Sequence, residues 1–135
     1  MPTSSIIPVL LYADVREAVE WLCATFGFVE RLRVGEHRAQ LELNGGAIVV
    51  TGGRGAELPI ASAGTQLSHS LMVRVIDVDA HYDRVVNAGT KVFGPPTDFP
   101  YGERQYTAED PGGHRWTFSQ TIWDVDPREW GGQPL

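Results

Sequence analysis

Hydrophobic and polar positions along this chain follow one pattern twice. Residues 5–12 are almost continuously apolar, as in a buried strand, and Pro8 favours a place near a strand start or a sheet edge. After Asp14 the apolar positions change to a helical spacing, Val15, Ala18, Val19, Leu22 and Phe26. Asp14 is placed to accept hydrogen bonds from the free amides of the first turn, and Gly27 supplies the left-handed residue that ends the helix. Three short strands are predicted next, at 29–34, 38–43 and 47–51. Asn44-Gly45 between the last two is a hairpin signal, because both central residues of such a turn need positive φ.

The second copy begins where Leu71, Val73 and Val75 alternate with Ser70, Met72 and Arg74, predicting a strand with one face on the core and one turned to a more polar space. Asp77 opens a second helix and Gly89 ends it. Laying Asp14 on Asp77 brings Val15 onto Val78, Val19 onto Tyr82, Leu22 onto Val85 and Cys23 onto Val86. A strand at 91–93 is interrupted by Gly94-Pro95-Pro96, and strands at 105–108 and 115–120 flank a turn at Asp110-Pro111-Gly112-Gly113. A repeat of this length is one supersecondary unit used twice. The chain therefore reads as α+β, with βαβββ modules at 5–52 and 67–122, a Gly-, Ala- and Ser-rich connector at 53–66 and a tail at 123–135, together one domain spanning 1–135. In the tail, Asp126-Pro127 starts a short helical turn that Gly131 ends. Trp123 and Trp130 on that segment are expected to cover apolar surface on this chain or on a partner.

Composition narrows the classes of function. With 135 residues and 42% hydrophobic content the chain is long enough to bury a core. A net charge of -6, with Lys91 as the sole lysine and scattered arginines, argues against nucleic acid, whose binding needs clustered cations. No apolar run approaches the ~20 residues of a membrane span, and the first residues lack the basic and apolar regions of a signal peptide, so a cytoplasmic protein without membrane contact is expected. Cys23, the sole cysteine, has no disulfide partner within the chain and falls on the apolar side of the first helix as a small core hydrophobe. The glycine cluster at 52–55 has no lysine or helix after it and reads as linker instead of a phosphate loop.

Paired βαβββ modules, an Asp-capped helix in each, Phe26-Gly27-Phe28 after the first helix and Glu109-Asp110-Pro111-Gly112-Gly113-His114-Arg115-Trp116 before the last strand resemble the vicinal oxygen chelate superfamily. That group contains glyoxalase I, extradiol dioxygenases and bleomycin-resistance proteins, and the resemblance covers roughly residues 5–122. It implies modules paired into a curved, mostly antiparallel sheet around a cavity, and a homodimer. It also implies metal positions on the first and last strand of each module, filled in the superfamily's enzymes by His, Gln or Glu. Those positions map here near Ile7, within 47–51, at Ser70 and at Thr117, and none carries such a ligand. No metal and no other cofactor is therefore expected. His69 alone would enter the cavity if the register slipped by one residue. His37, His81 and His114 show no metal-ligand spacing.

The second polar cluster is Tyr101-Gly102-Glu103-Arg104-Gln105-Tyr106, at the approach to the penultimate strand. Glu103 is the candidate acid or base, Arg104 the candidate partner for an anionic group and Tyr101 a stacking surface. Ser70, Arg74, Arg115, Thr117 and Ser119 share the parity that turns toward the same space. Two functions remain open. The first is a metal-independent binding protein of the bleomycin-resistance type, holding an aromatic or flat small molecule in a cleft shared by a dimer. The second is a lyase or isomerase of the same superfamily, with or without the assistance of a metal.

Overall fold

A computed structural model describes residues 4–52 and 68–135, so the expected connector at 53–66 lies outside the described residues. The chain separates into two compact units, one of Met1–Ser68 with Asp110–His114 and one of His69–Glu109 with Arg115–Leu135.

The first unit holds β1 (Val9–Tyr12), α1 (Val15–Trp21), a π-helical turn at Leu22–Phe26, β2 (Val29–Val34), β3 (Arg38–Leu43) and β4 (Gly46–Gly52). Its sheet runs β1-β4-β3-β2, with β1 parallel to β4 and the rest antiparallel. Asp14 caps α1 by accepting from the Glu17 amide at 3.0 Å, and Gly27 ends the π turn at φ 93°. The expected stripe is the buried one: Val15, Ala18, Val19, Leu22 and Phe26 all lie against the sheet with Leu10, Ala39, Leu41, Ile48 and Val50. Each large apolar side chain so enclosed contributes about 1.5–3 kcal/mol. Asn44 at φ 50° and Gly45 at φ 83° turn the β3–β4 hairpin as their sequence requires.

Three details differ from expectation. β1 starts at Val9 and not at residue 5, because Pro8 has no amide for the ladder; its carbonyl still accepts from Val49 N at 2.9 Å. The π turn leaves Cys23 only half-buried, where burial first, and the Glu30 carboxylate second, push its thiol up from the ordinary range. A bulge between Glu30 and Leu32 breaks the alternation of β2, so that Glu30 faces α1, where Arg16 pairs with it at 2.7 Å. Beyond the bulge Leu32 and Val34 share the face opposite the helix with Val29, Val9 and Leu11, and all five are exposed.

The second unit repeats the plan with β5 (Leu71–Arg74), α2 (Val78–Asn87), β6 (Lys91–Val92), β7 (Thr97–Phe99), β8 (Glu103–Glu109) and β9 (Arg115–Thr121). Its order, β5-β9-β8-β6, matches that of the first sheet, including the parallel pair β5–β9; β7 is additional and pairs with β8. Asp77 caps α2 through the Ala80 amide at 3.0 Å, with the same extended backbone as Asp14. The helix buries Val78 and Val85 in the core that also contains Tyr106, Ala108, Trp116 and Phe118. Strand β7 was not expected, since Gly94-Pro95-Pro96 reads as an interruption and a three-residue strand leaves little periodicity.

The tail forms a 3-10 turn at Pro127–Trp130, with Asp126 accepting from the Arg128 amide and Gly131 left-handed after it, as expected. It packs onto the loop before β8. Gly102 O accepts from Ile122 N at 2.9 Å, and a Cβ at Gly102 would run into the Trp123 carbonyl oxygen.

Candidate ligand-binding face

The register of the second sheet sorts its side chains onto two faces. Tyr106 lies opposite Phe118 and Ala108 opposite Trp116, and these form the helix-side core. One residue out of phase, Gln105 lies opposite Ser119, Thr107 opposite Thr117 and Glu109 opposite Arg115. Strand β5 joins them by setting Met72 beside Thr117 and Arg74 beside Ser119. The face away from α2 is thus a strip of hydroxyls, amides and charges across three strands.

Much of that strip is linked by hydrogen bonds. Tyr101 Oη donates to Gln105 Oε1 at 3.2 Å, Gln105 Nε2 donates to Ser119 Oγ at 3.0 Å, and Ser119 Oγ donates to Glu103 Oε1 at 2.8 Å. Thr107 and Thr117 bond hydroxyl to hydroxyl at 2.8 Å. Such a relay fixes the rotamers of its members.

Aromatic rings stand at both ends. Tyr101 stacks on Phe99 at 5.4 Å between centroids and meets the edge of Trp130 at 5.5 Å. At the other end Phe93 lies under the Arg115 guanidinium, 4.8 Å from ring centroid to Cζ, with Lys91 Nζ at 5.3 Å.

Among the residues proposed from sequence, Arg74, Tyr101, Glu103, Arg115 and Thr117 come together on this face, while Ser70 lies exposed just before β5. Arg104 does not join them. Adjacent residues of a strand point to opposite faces, so Arg104 projects to the helix side, where it donates to Asp98 at 2.6 and 3.2 Å and to Asp79 at 2.9 Å. Those bonds hold the Asp98 carboxyl below its ordinary range, and they leave Arg104 a structural partner of α2 and β7. Gln105 and Thr107 were missed although they share the parity of Glu103. Phe99, Phe93 and Lys91 were missed because β7 and the β6 edge carry too few residues to show alternation. Trp130 reaches the face only through the fold of the tail.

The histidines belong elsewhere. His81 Nδ1 meets Tyr106 Oη at 2.5 Å, and its ring packs on Phe118. His114, grouped with the first unit, lies with Nε2 2.9 Å from Leu11 O and its ring against Tyr12. His37 is exposed in the β2–β3 turn and His69 is exposed ahead of β5. The superfamily's metal needs imidazole, carboxylate or amide donors converging on one point. Among the described residues no three His, Cys, Asp or Glu side chains converge, and Thr117 bonds to Thr107 where such a ligand would stand. The residues present do not fit that metal site. Among the described residues no helix is long and apolar enough to cross a membrane.

Comparison with known proteins agrees with this architecture. The profile of the Glyoxalase/Bleomycin resistance protein/Dioxygenase superfamily matches residues 7–118. An uncharacterised protein of Mycobacterium bovis is 29% identical over 134 residues, covering 90% of this chain and 86% of that one. TioX from Micromonospora sp. ML1 is 34% identical, with a TM-score of 0.72 across 88% of this chain and 99% of that chain. FosX, a fosfomycin resistance protein from Listeria monocytogenes, shares the fold at a TM-score of 0.68 and 15% identity, covering 89% of this chain and 94% of its own. On the matched residues and the repeated module, the chain belongs to the glyoxalase/bleomycin resistance protein/dioxygenase superfamily.

Proposed function

We propose that this protein is a metal-independent small-molecule-binding member of its superfamily, a cytoplasmic homodimer that holds a planar aromatic ligand against the polar face of the second sheet, in a cleft completed by the second subunit. The observation that carries this reading is the relay from Tyr101 through Gln105 and Ser119 to Glu103, with rings at either end of the face. Flat, hydrogen-bonding surface between aromatic rings suits a flat ligand with a few polar atoms at its edge. Thr117, standing where the superfamily's enzymes carry a metal ligand, supports binding without metal.

A second reading has one observation in its favour. Glu103 is the carboxylate of the relay, and Ser119 Oγ orients it at 2.8 Å, an arrangement open to proton transfer in a lyase or isomerase. The experiment is an NMR titration with planar aromatic probes such as 2-naphthol, indole and flavone in EDTA, on wild type and Glu103→Gln. Binding predicts shifts in the amides of residues 103–107 and 117–121, retained within about tenfold by the isosteric variant and without chemical change in the probe. Shifts confined to other strands overturn the assignment of the face. Conversion of a probe that Glu103→Gln abolishes would establish the second reading.

A further inference from the structure

Across three strands of the polar face, Lys91, Glu109 and Arg115 form one row, since Lys91 lies opposite Glu109 and Glu109 opposite Arg115. One carboxylate is shared by two cations, leaving a local surplus of one positive charge on a protein whose net charge is -6. The sharing is loose. Lys91 Nζ is 3.5 Å and Arg115 Nε 3.8 Å from the Glu109 oxygens, and Arg115 Nε is buried with no hydrogen-bond partner among the described residues. Other arginines of the chain are used differently: Arg16, Arg33 and Arg104 each donate at least two hydrogen bonds to carboxylates. Arg115 instead holds its guanidinium over the Phe93 ring at 4.8 Å.

We infer that Arg115, Lys91 and Phe93 form an anion-binding subsite, and that the ligand carries a carboxylate on an aromatic frame. This rests on the binding face proposed above and names the chemistry of one end of it. A guanidinium fixed on a ring keeps its outer edge oriented for the two oxygens of a carboxylate. Lys91 adds a second charge over the same ring, its Nζ 5.3 Å from the Phe93 centroid. Phe93 is 46% exposed, so its ring offers surface to the apolar part of a ligand as well as a seat for the cations. The surplus of one charge selects a monoanion. A phosphate dianion would face Glu109 with half its charge unmatched, and an ammonium group would be repelled by both cations. Arg104, whose donors are taken by Asp79 and Asp98, has no part in this recognition.

The test compares 2-naphthoate with its uncharged isostere 2-naphthamide by protein-observed NMR titration in EDTA, on wild type, Arg115→Gln and Lys91→Gln. Naphthoate is expected to shift the amides of Phe93, Glu109 and Arg115 and to bind roughly tenfold or more tightly than naphthamide, the usual scale of a charge-assisted pair. Arg115→Gln removes most of that preference and Lys91→Gln part of it, while naphthamide, which carries no charge for either cation to pair, loses much less in both variants. Lys91 lies on the surface, so its variant tests the inference even if Arg115→Gln perturbs the fold. Equal affinity for the two probes, or naphthoate binding indifferent to both substitutions, overturns the inference. Should naphthamide still shift residues 103–107 and 117–121 in that case, the binding face stands and only the anion subsite falls. If neither probe moves any resonance of the face, both fall.

Discussion

Tyr12→Phe removes one hydroxyl from the core of the first unit and leaves the ring in place. That hydroxyl donates to Asp110 Oδ2 at 2.5 Å, while Asp110 Oδ1 accepts from Gly112 N at 2.9 Å and His114 N at 3.0 Å. Both partners are buried, at 3% and 4% exposure, so water cannot readily replace the lost donor. A hydrogen bond to a charged group contributes about 1.5–3 kcal/mol, and that is the expected loss of stability at pH 8. The same geometry sets a pH dependence. Burial first, then the charge and acceptor of Asp110, raise the Tyr12 pKa above its ordinary value. A folded-state pKa above the unfolded one gives stability that is complete below about pH 10 and declines as pH rises, because the unfolded chain releases the phenolic proton first. Tyr12 therefore contributes a decline of about 1.4 kcal/mol per pH unit above pH 10. Tyr106, raised by burial and by Tyr82, declines alongside it. Urea unfolding of wild type and Tyr12→Phe at steps from about pH 8 to 11.5 separates the two, since the variant keeps the shares of Tyr106 and of the raised Cys23 thiol and loses only that of Tyr12. Equal stabilities at pH 8, or equal slopes above pH 10, would refute the reasoning.

Gly112→Ala should destabilise the same corner by about 1–3 kcal/mol, because its Cβ would lie 2.7 Å from the Tyr12 ring; thermal unfolding reads this, and an unchanged melting temperature contradicts the close packing. Arg104→Ala should change stability little and leave affinity for any ligand of the polar face unchanged, since its partners Asp79 and Asp98 are exposed on the other side and water screens the pairs. A matched loss of affinity in that variant would show that Arg104 reaches the ligand. Gln105→Leu cuts the relay between Tyr101 and Ser119 and should weaken 2-naphthol binding roughly tenfold in the NMR titration; unchanged affinity would mean the relay does not contact the ligand.

The repeat was legible because it is carried by residues with strong local rules. Asp14 and Asp77 cap, Gly27 and Gly89 terminate, and Asn44-Gly45 turns, each for a reason internal to a few residues. Leu71, Val73 and Val75 alternating with polar residues sorted the faces of β5, and the partner strands follow that phase. Where the chain departs from regular periods, sequence reasoning lost its grip. The bulge between Glu30 and Leu32 hides which side of β2 is buried, the π turn alters the surroundings of Cys23, and β7 is too short to declare itself. Arg104 shows a different limit. Adjacent to Glu103, it reads as part of one polar cluster, yet strand geometry sends the two to opposite faces and Asp79 takes it up. Arg115 is the converse: its stacking on Phe93 depends on pairing between β6, β8 and β9, a contact that no spacing within the chain announces.

The most direct test of metal-independent binding is a native mass spectrum of the protein incubated with 2-naphthoate, recorded after EDTA treatment and again after addition of zinc or manganese. The expected species is a dimer that takes up the same number of naphthoate molecules under both conditions and retains no stoichiometric divalent ion. A complex that forms only when one divalent ion per subunit is bound would contradict the account and return the chain to the metal-assisted chemistry of its superfamily.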